Sequence, residues 1–352
     1  MKRTELSKWS DYLLSNQLAF QALCHYIITI VFSQYHFGEC MEGEYKLKAD
    51  VTIYHDTPYT KVLFGSTYIE ILDDDQYYFS ILEKRRWKLE NLPDELVDVL
   101  KEYNLFVKTY IHEYENTELE KNIYLIESLI DSKSHKTPID IQKQLSSTKI
   151  LLLGVGGIGC IVLDNLLRLG IRDFFIIDSD MVEVSNLNRQ ILFVKEDIGF
   201  YKVEIIKNKV LAMYDGVRVN YSTEYVDNVN YLSDICINYS PDFIVNALDT
   251  PRNIEGIIFD ISKKLSIPSI SCGVGVHSGF WGPIYPFAKY YEIEKEFRNL
   301  NVKPIKGSLP TTNMIIGSMV SHDIFKFFIN PKDKNLYSRK FFNFQTYTCE
   351  VI

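Results

Sequence analysis

The sequence has no excess of positive charge. Its 352 residues include 38 Lys and Arg against 46 Asp and Glu, which gives a formal net charge of -8 at pH 7. Because nucleic-acid-binding proteins usually carry a basic surface, this balance argues against that class. Aromatic residues are plentiful, with 24 Tyr and 21 Phe, and such a composition is typical of a folded rather than a disordered chain.

Long apolar runs are also missing. The longest extends from Ala19 to Phe32 and is interrupted by Gln21, His25 and Thr29, whereas a membrane span needs about 20 predominantly apolar residues. The first residues are too polar for a signal peptide. We therefore expect a cytoplasmic protein that does not enter a membrane.

The six cysteines form no Cys-x-x-Cys pair. Their spacing suits neither a zinc site nor a disulfide framework, so we expect reduced, mostly buried thiols and no zinc site.

The length favours two domains, and two regions of different character follow each other. Residues 1–107 mix helical and strand patterns, which predicts a small winged-helix-like α+β domain. Residues 108–147 predict a mostly helical connector. The signals in the first region are an opening helix, a strand, a hairpin around an aspartate turn, and a further helix, at Leu6–Leu18, Tyr45–Ile53, Tyr68–Leu82 and Pro93–Phe106.

In residues 148–352, short apolar strands alternate with helices. That alternation predicts an α/β fold with a doubly wound, Rossmann-like sheet. The strands are expected at Lys149–Leu153, Phe174–Ile177, Asp242–Ala247 and Ser269–Cys272.

A glycine-rich loop joins the first of these strands to the helix that follows. Its glycines permit a tight turn and let backbone N–H groups approach a phosphate at the start of the helix. Asp178 follows Gly159 by 19 residues, at the end of the second strand, where a carboxylate can accept hydrogen bonds from a ribose hydroxyl. The pattern predicts a nucleotide site without separating NAD from ATP. The glycines are Gly154, Gly156, Gly157 and Gly159.

Residues further along the chain favour ATP. Arg189 and Lys202 supply positive charge, and Asp249 comes just after an apolar strand, at the sheet edge where ligands bind. Cations near the phosphates and a carboxylate for Mg²⁺ are what ATP chemistry requires. A nicotinamide dehydrogenase on the same kind of sheet is the alternative.

The order and spacing of these motifs resemble a known superfamily. It comprises the ubiquitin-activating, molybdopterin-synthase-activating and thiamine-thiocarboxylate adenylating enzymes, the ThiF/MoeB type. The resemblance extends over residues 142–286 and includes the glycine loop, Asp178, the stretch Asn186–Gln190, Lys202 and Asp249.

The resemblance implies an activity and a role for each matching residue. Enzymes of this superfamily activate a carboxylate by its attack on the α-phosphate of ATP, which forms an acyl-adenylate and pyrophosphate. The glycines would line the phosphates, Asp178 would hold the ribose and Asp249 would organise Mg²⁺. Residues implied to contact the phosphates are Asn186, Asn188, Arg189 and Lys202. Those implied to be catalytic are Arg189, Lys202 and Asp249.

Two short segments, Gln142–Leu145 and Gly282–Pro286, are similar to the peptide-modifying branch typified by the microcin C adenylating enzyme. That branch implies a homodimer and a precursor-peptide recognition domain in residues 1–107, where the peptide would add a strand to a sheet edge. The basic run Lys84–Lys88 suits an acidic peptide, or is a solvated charged turn.

The chain departs from many relatives, which hold a structural zinc with two Cys-x-x-Cys pairs. Residues 288–310 take the place of the crossover loop over the active site. A catalytic thiol is not evident, and Cys272, which ends a strand, is the one candidate. These absences make the chain similar to the pantocin A maturation enzyme, which activates glutamate side chains of a precursor peptide and closes a ring with loss of water.

The expected function is therefore ATP- and Mg²⁺-dependent adenylation of a carboxylate, a Glu side chain, in a ribosomally made precursor peptide. The adenylate would drive dehydrative cyclisation in peptide antibiotic biosynthesis. The alternatives are adenylation of a peptide's C-terminal residue, as in microcin C maturation, and a catalytically silent scaffold that presents a peptide.

We predict that saturating ATP with Mg²⁺ raises the melting temperature of the protein and that NAD does not. A ligand at one hundred times its Kd stabilises the folded state by about 2.7 kcal/mol, which thermal unfolding resolves. A shift with NAD and none with ATP would support the dehydrogenase instead.

Overall fold

The computed structural model describes residues 43–285 and 307–352. The predicted opening helix Leu6–Leu18 and most of the predicted crossover loop, residues 288–310, lie outside these ranges. Contacts divide the chain into two units. The first runs to Glu115 and takes in Glu120–Ile139, and the second comprises Asn116–Leu119 and Asp140–Ile352.

Within the described residues, the first unit contains two three-stranded antiparallel sheets with helices. In one sheet the central strand is β1, paired with β5 and β6, and in the other it is β3, paired with β2 and β4. The strands are β1 (Glu44–Leu47), β2 (Thr52–Asp56), β3 (Tyr59–Phe64), β4 (Thr67–Leu72), β5 (Arg86–Lys88) and β6 (Phe106–Lys108). The helices are α1 (Tyr77–Leu82), α2 (Asp94–Glu102) and α3 (Glu120–Leu129).

Two of the strand predictions for this unit are wrong. The alternating stretch Tyr45–Ile53 forms two strands in different sheets, because the chain turns after Lys48, where the Val51 N–H donates to the Lys48 carbonyl at 3.1 Å. The second half of the predicted hairpin is instead the helix α1. Its cause is Asp73, whose carboxylate accepts the N–H groups of Tyr78 and Phe79 at 3.0 and 2.9 Å and so satisfies the donors at the start of the helix.

The second unit is built on one eight-stranded sheet, in the order β14-β13-β12-β11-β10-β7-β8-β9. Strands β7 to β11 are parallel, and β12, β13 and β14 extend the sheet with antiparallel pairs. The strands are β7 (Lys149–Leu153), β8 (Asp173–Ile177), β9 (Arg218–Ser222), β10 (Phe243–Asn246), β11 (Ser269–Val274), β12 (Ser278–Tyr285), β13 (Lys340–Asn343) and β14 (Thr348–Val351).

Helices alternate with the parallel strands, which confirms the predicted doubly wound α/β fold. They are α4 (Pro138–Ser147), α5 (Gly157–Arg168), α6 (Lys202–Met213), α7 (Val229–Tyr239), α8 (Ile254–Leu265) and, after β12, α9 (Pro310–Ile329). Strand β7 is central, and Ile150 to Leu153 are fully buried, because helices cover both faces of a parallel sheet. Among the helices of the described ranges, none combines the length and apolar character needed to cross a membrane.

One buried carboxylate ties α3 to the first unit's sheet. Glu127 is inaccessible to solvent and forms an ion pair with Lys46 at 2.8 Å. Its other oxygen accepts the Ala49 N–H at 2.6 Å, and the Tyr110 hydroxyl also donates to the carboxylate. Three donors from the strand, the turn and the segment after β6 therefore converge on one side chain of α3.

We predict that Glu127→Ala lowers the free energy of unfolding of the first unit by about 3 kcal/mol, because it leaves buried donors without an acceptor. The matched control is Lys121→Ala on the same helix, whose side chain is 86% exposed and whose loss should cost less than about 0.5 kcal/mol. Urea unfolding measures both, and equal midpoints for the two variants would contradict the assignment.

Candidate functional site

The site lies where the sheet order reverses, at the carboxyl ends of β7 and β10. Strand β7 has β8 on one side and β10 on the other, and ligands of open α/β sheets bind at such a switch point. Gly154, directly after β7, has φ +84°, and a Cβ there would lie 2.9 Å from the carbonyl oxygen of Ala247, which follows β10. The loop after β7 therefore packs against the neighbouring strand in a conformation that favours glycine.

The other glycines of the loop divide into packed and open positions. A Cβ on Gly159 would lie 2.0 Å from the Gly154 carbonyl oxygen, and one on Gly157 would lie 2.3 Å from Oδ1 of Asn313. At Gly156 the nearest atom to a Cβ is Nε2 of Gln190, at an ordinary 3.9 Å. Gly157 and Gly159 thus keep the loop compact, whereas Gly156 leaves room beside the start of α5.

Asp178 connects the glycine loop to the next strand. It is buried directly after β8, and its two oxygens accept the N–H groups of Val155 at 2.8 Å and Asp180 at 2.9 Å. Burial raises the pKa of Asp178, while the charge of Lys202 and these hydrogen bonds lower it. The Lys202 ammonium, at the first residue of α6, lies 3.9 Å from Asp178 and 2.7 Å from Asp180. The structure therefore brings the glycine loop, Asp178 and Lys202 together.

The predicted phosphate-binding stretch is held by hydrogen bonds along its own length. Nη1 of Arg189 donates to the Asn188 side chain at 2.9 Å and to the Ser185 carbonyl at 2.8 Å. The Asn188 amide donates to the Ser308 carbonyl at 3.0 Å. The buried Asn186 turns back and accepts the Glu183 N–H at 3.1 Å. One edge of the Arg189 guanidinium is thus fixed, while the Oδ1 of Asn186 stabilises a turn.

Asp249 lies three residues beyond the end of β10 and is exposed. The turn before it is held by Asn246, whose Oδ1 accepts the Leu248 N–H at 3.2 Å. In the described ranges no three His, Cys, Asp or Glu side chains are grouped so as to hold a metal ion. Because Mg²⁺ is usually bound by one or two carboxylates together with substrate phosphates, a single accessible carboxylate such as Asp249 fits it.

The thiols near this region are buried. Cys272 is buried and donates to the Asn246 carbonyl at 3.4 Å, and burial raises its pKa to about 12. Cys160 is also buried and has its pKa raised to about 12 by burial. Since the thiolate is the nucleophilic form, Cys272 is not equipped to act as a nucleophile near neutral pH. Of the cysteines in the described ranges, Cys236 is buried as well and Cys349 is exposed.

Two further residues line the site and were given no role by the sequence analysis. Gln190 is buried next to Gly156, and its Oε1 makes no hydrogen bond in the part of the chain that the structure describes. Asn313 reaches Gly157 from the first turn of α9, with its amide donating to the Ser308 hydroxyl at 2.9 Å. Membership of the Asn186–Gln190 stretch could have indicated Gln190. No local signal indicates Asn313, which is more than 150 residues away from Gly157 in the sequence.

Comparisons with known proteins show what this chain is similar to. The model of the ThiF family matches residues 130–351. The adenylyltransferase and sulfurtransferase UBA4 of Debaryomyces hansenii is 35% identical over 138 residues, which are 39% of this chain and 28% of that protein. The chain thus spans less than a third of the length of this relative.

Two solved structures share the fold. The crystal structure of E. coli MccB with AMPCPP and MccA has a TM-score of 0.69 and 22% identity, and the match covers 88% of this chain and 96% of that one. The crystal structure of PaaA has a TM-score of 0.60 and 24% identity, with 73% and 90% covered. At these identities the likeness establishes a common fold.

We predict that Gly159→Ala destabilises the second unit by about 1–3 kcal/mol, because its Cβ would overlap a backbone carbonyl that cannot swing away. Gly156→Ala is the matched control and should change the free energy of unfolding by less than about 0.5 kcal/mol. If Gly156 faces the nucleotide, its variant should still weaken ATP binding. Calorimetric unfolding and ATP titration of both variants separate these effects, and equal stability of the two would contradict the loop geometry.

Proposed function

The chain belongs to the ThiF family, and from this membership and the geometry of its site we propose that it is an ATP-dependent adenylating enzyme. Its substrate is a carboxylate of a ribosomally made peptide. The observation that carries the proposal is the arrangement of the glycine loop at the switch point. The Val155 N–H in this loop donates to Asp178 at 2.8 Å, and the Lys202 ammonium lies 3.9 Å from the same carboxylate.

In this proposal each side chain has one task in binding ATP. Backbone N–H groups at Gly156 and Gly157 meet the phosphates at the start of α5, where the helix dipole favours negative charge. Asp178 accepts from the ribose hydroxyls. Arg189 and Lys202, together with Asn186 and Asn188, bind phosphate oxygens, and the rigid fork of an arginine suits that contact. The ammonium of Lys202 lies near Asp178, so it reaches the phosphates from the ribose side.

The reaction is an in-line displacement at the α-phosphorus. A carboxylate oxygen of the peptide forms the new P–O bond, the bond to the bridging oxygen breaks, and pyrophosphate leaves with the electron pair. Charge spreads over the α-phosphoryl oxygens during this step, and preorganised cations such as Arg189 and Lys202 lower the barrier by stabilising it. Asp249 would hold a Mg²⁺ ion, which neutralises charge on the leaving phosphates.

We assign peptide recognition to residues 1–107, linked by residues 108–147 to an adenylation domain of residues 148–352 that acts in a homodimer. In the first unit β5 and β6 are the outer strands of a sheet within the described residues. Such edges allow a peptide to add a strand through main-chain hydrogen bonds.

The fate of the adenylate distinguishes two versions of the proposal. In the first, a Glu side chain is activated and a peptide nitrogen displaces AMP, so that a ring closes with net loss of water. In the second, the C-terminal residue of the peptide is adenylated, as in microcin C maturation. Because the chain shares its fold with both MccB and PaaA, we keep both versions.

We predict that Asp249→Ala reduces AMP formation at least about 100-fold, as expected for loss of a charge that acts on the phosphates, while peptide binding is unchanged. The purified protein is incubated with ATP, Mg²⁺ and candidate short peptides encoded near its gene, and mass spectrometry follows nucleotide and peptide. AMP with a dehydrated peptide supports cyclisation, and AMP retained on the peptide supports the microcin-like version.

The matched control is Asp234→Ala, which removes another exposed aspartate, from α7, and should leave turnover at the wild-type rate. Lys202→Ala should reduce AMP formation at least about 100-fold, as Asp249→Ala does. A wild-type rate in Asp249→Ala would show that the site is wrongly assigned. If a peptide binds and no nucleotide is turned over, the protein would instead be the catalytically silent scaffold that presents a peptide.

A further inference from the structure

The first unit contains an open cavity of about 660 Å³ to which the adenylation reaction assigns no task. It is lined from the strands β1 and β5, from the segment after β6 and from α3. The residues that matter for its chemistry are Lys46, Arg86, Thr109, Tyr110, His112 and Tyr124.

Two cations face each other at this cavity. Lys46 and Arg86 are directly opposed on the antiparallel strands β1 and β5, so their side chains share one face of the sheet, where like charges repel. Lys46 is compensated by Glu127 at 2.8 Å. Arg86 is exposed, and no carboxylate of residues 43–285 or 307–352 lies within ion-pair distance of it. The cavity therefore carries one uncompensated positive charge.

The wall of the cavity also contains polar side-chain atoms without a hydrogen-bond partner. The hydroxyl of Thr109 and both ring nitrogens of His112 are buried and make no hydrogen bond with the described residues. Glu127, the acceptor nearby, is already engaged by Lys46, Ala49 and Tyr110. These atoms are closed to solvent, so a ligand in the open cavity does not reach them as the side chains stand, and the donor open to a ligand is the exposed guanidinium of Arg86.

Aromatic rings form the walls beside these donors. The centroid of the His112 ring lies 5.1 Å from that of Tyr124 and 6.2 Å from that of Tyr110. The Lys46 ammonium lies 4.2 Å from the Tyr110 centroid, a cation–π distance. Flat apolar surface next to cations suits a group with a short hydrocarbon stem and an anionic head.

We propose that this cavity binds a carboxylate, contributed by an acidic side chain of the peptide substrate. A carboxylate accepts charge-assisted hydrogen bonds from the planar fork of Arg86 and compensates its charge. That the carboxylate belongs to a peptide rests on the proposed function, whereas the preference for a carboxylate rests on the charges and donors of the cavity alone.

The basic residues of the run Lys84–Lys88 have different contacts, and one of them belongs to this cavity. The Arg85 guanidinium donates to the carbonyls of Lys48 and Val51, both at 3.1 Å, and so serves the fold. Lys88 lies 3.9 Å from Glu90. Arg86 is the member of the run that lines the cavity, so recognition of an acidic peptide is assigned to it.

The test is the binding of a fluorescein-labelled tetraglutamate peptide with blocked ends to the full chain, followed by anisotropy at constant ionic strength without ATP. We expect Arg86→Gln to weaken binding about tenfold, the loss of one charge-assisted contact. Thr109→Val, which keeps the shape of the side chain and removes only a hydroxyl that is closed to solvent, should leave binding unchanged. Lys88→Gln makes the same change in charge two residues away on the same strand and should weaken binding less than about twofold.

Competition identifies the ligand. Unlabelled tetraglutamate should displace the probe and tetraglutamine should not. Absence of probe binding, equal weakening by Arg86→Gln and Lys88→Gln, or equal displacement by inorganic phosphate would overturn the carboxylate site. Displacement by free succinate as effective as by tetraglutamate would overturn its assignment to a peptide. Since no nucleotide is present, these outcomes are independent of whether the protein forms AMP.

Discussion

The second unit depends on the burial of the Asp178 carboxylate behind the glycine loop. A buried carboxylate is costly unless its oxygens are paired, and here the N–H groups of Val155 and Asp180 and the charge of Lys202 provide the pairing. These contacts connect the end of β7, the end of β8 and the start of α6. The loop is therefore shaped before any nucleotide arrives, which lowers the ordering cost of binding.

Close approach of backbone is the second constraint on the same loop. Gly154 abuts Ala247, which directly follows the strand next to β7, and Gly157 abuts Asn313 of α9. The loop that would meet the phosphates is thus packed between the strand that leads to Asp249 and the helix that follows the crossover segment. In the first unit Glu127 has a comparable place, since it satisfies donors from three segments of chain.

Much of this was predictable where local signals and tertiary packing agree. The apolar run before Gly154 predicts strand β7, the glycines predict the turn, and the family spacing singles out Asp178 and Lys202, which lie 3.9 Å apart in the structure. Prediction failed where one side chain decides the backbone, as Asp73 does for α1. Asn313 could not be foreseen, because its contact with Gly157 depends on how α9 packs in the folded chain. The cavity at Arg86 likewise depends on the register that places Arg86 opposite Lys46, and the run of basic residues alone does not predict that register.

The most direct test of the account is oxygen transfer during turnover. A peptide whose carboxylates carry oxygen-18 is incubated with the protein, ATP and Mg²⁺, and the AMP is analysed by mass spectrometry. If the carboxylate attacks the α-phosphorus, the AMP contains one labelled oxygen from the peptide. This holds whether the AMP is released or still attached to the peptide. Unlabelled AMP formed at the same rate would mean that water attacks the phosphorus and would contradict an acyl-adenylate.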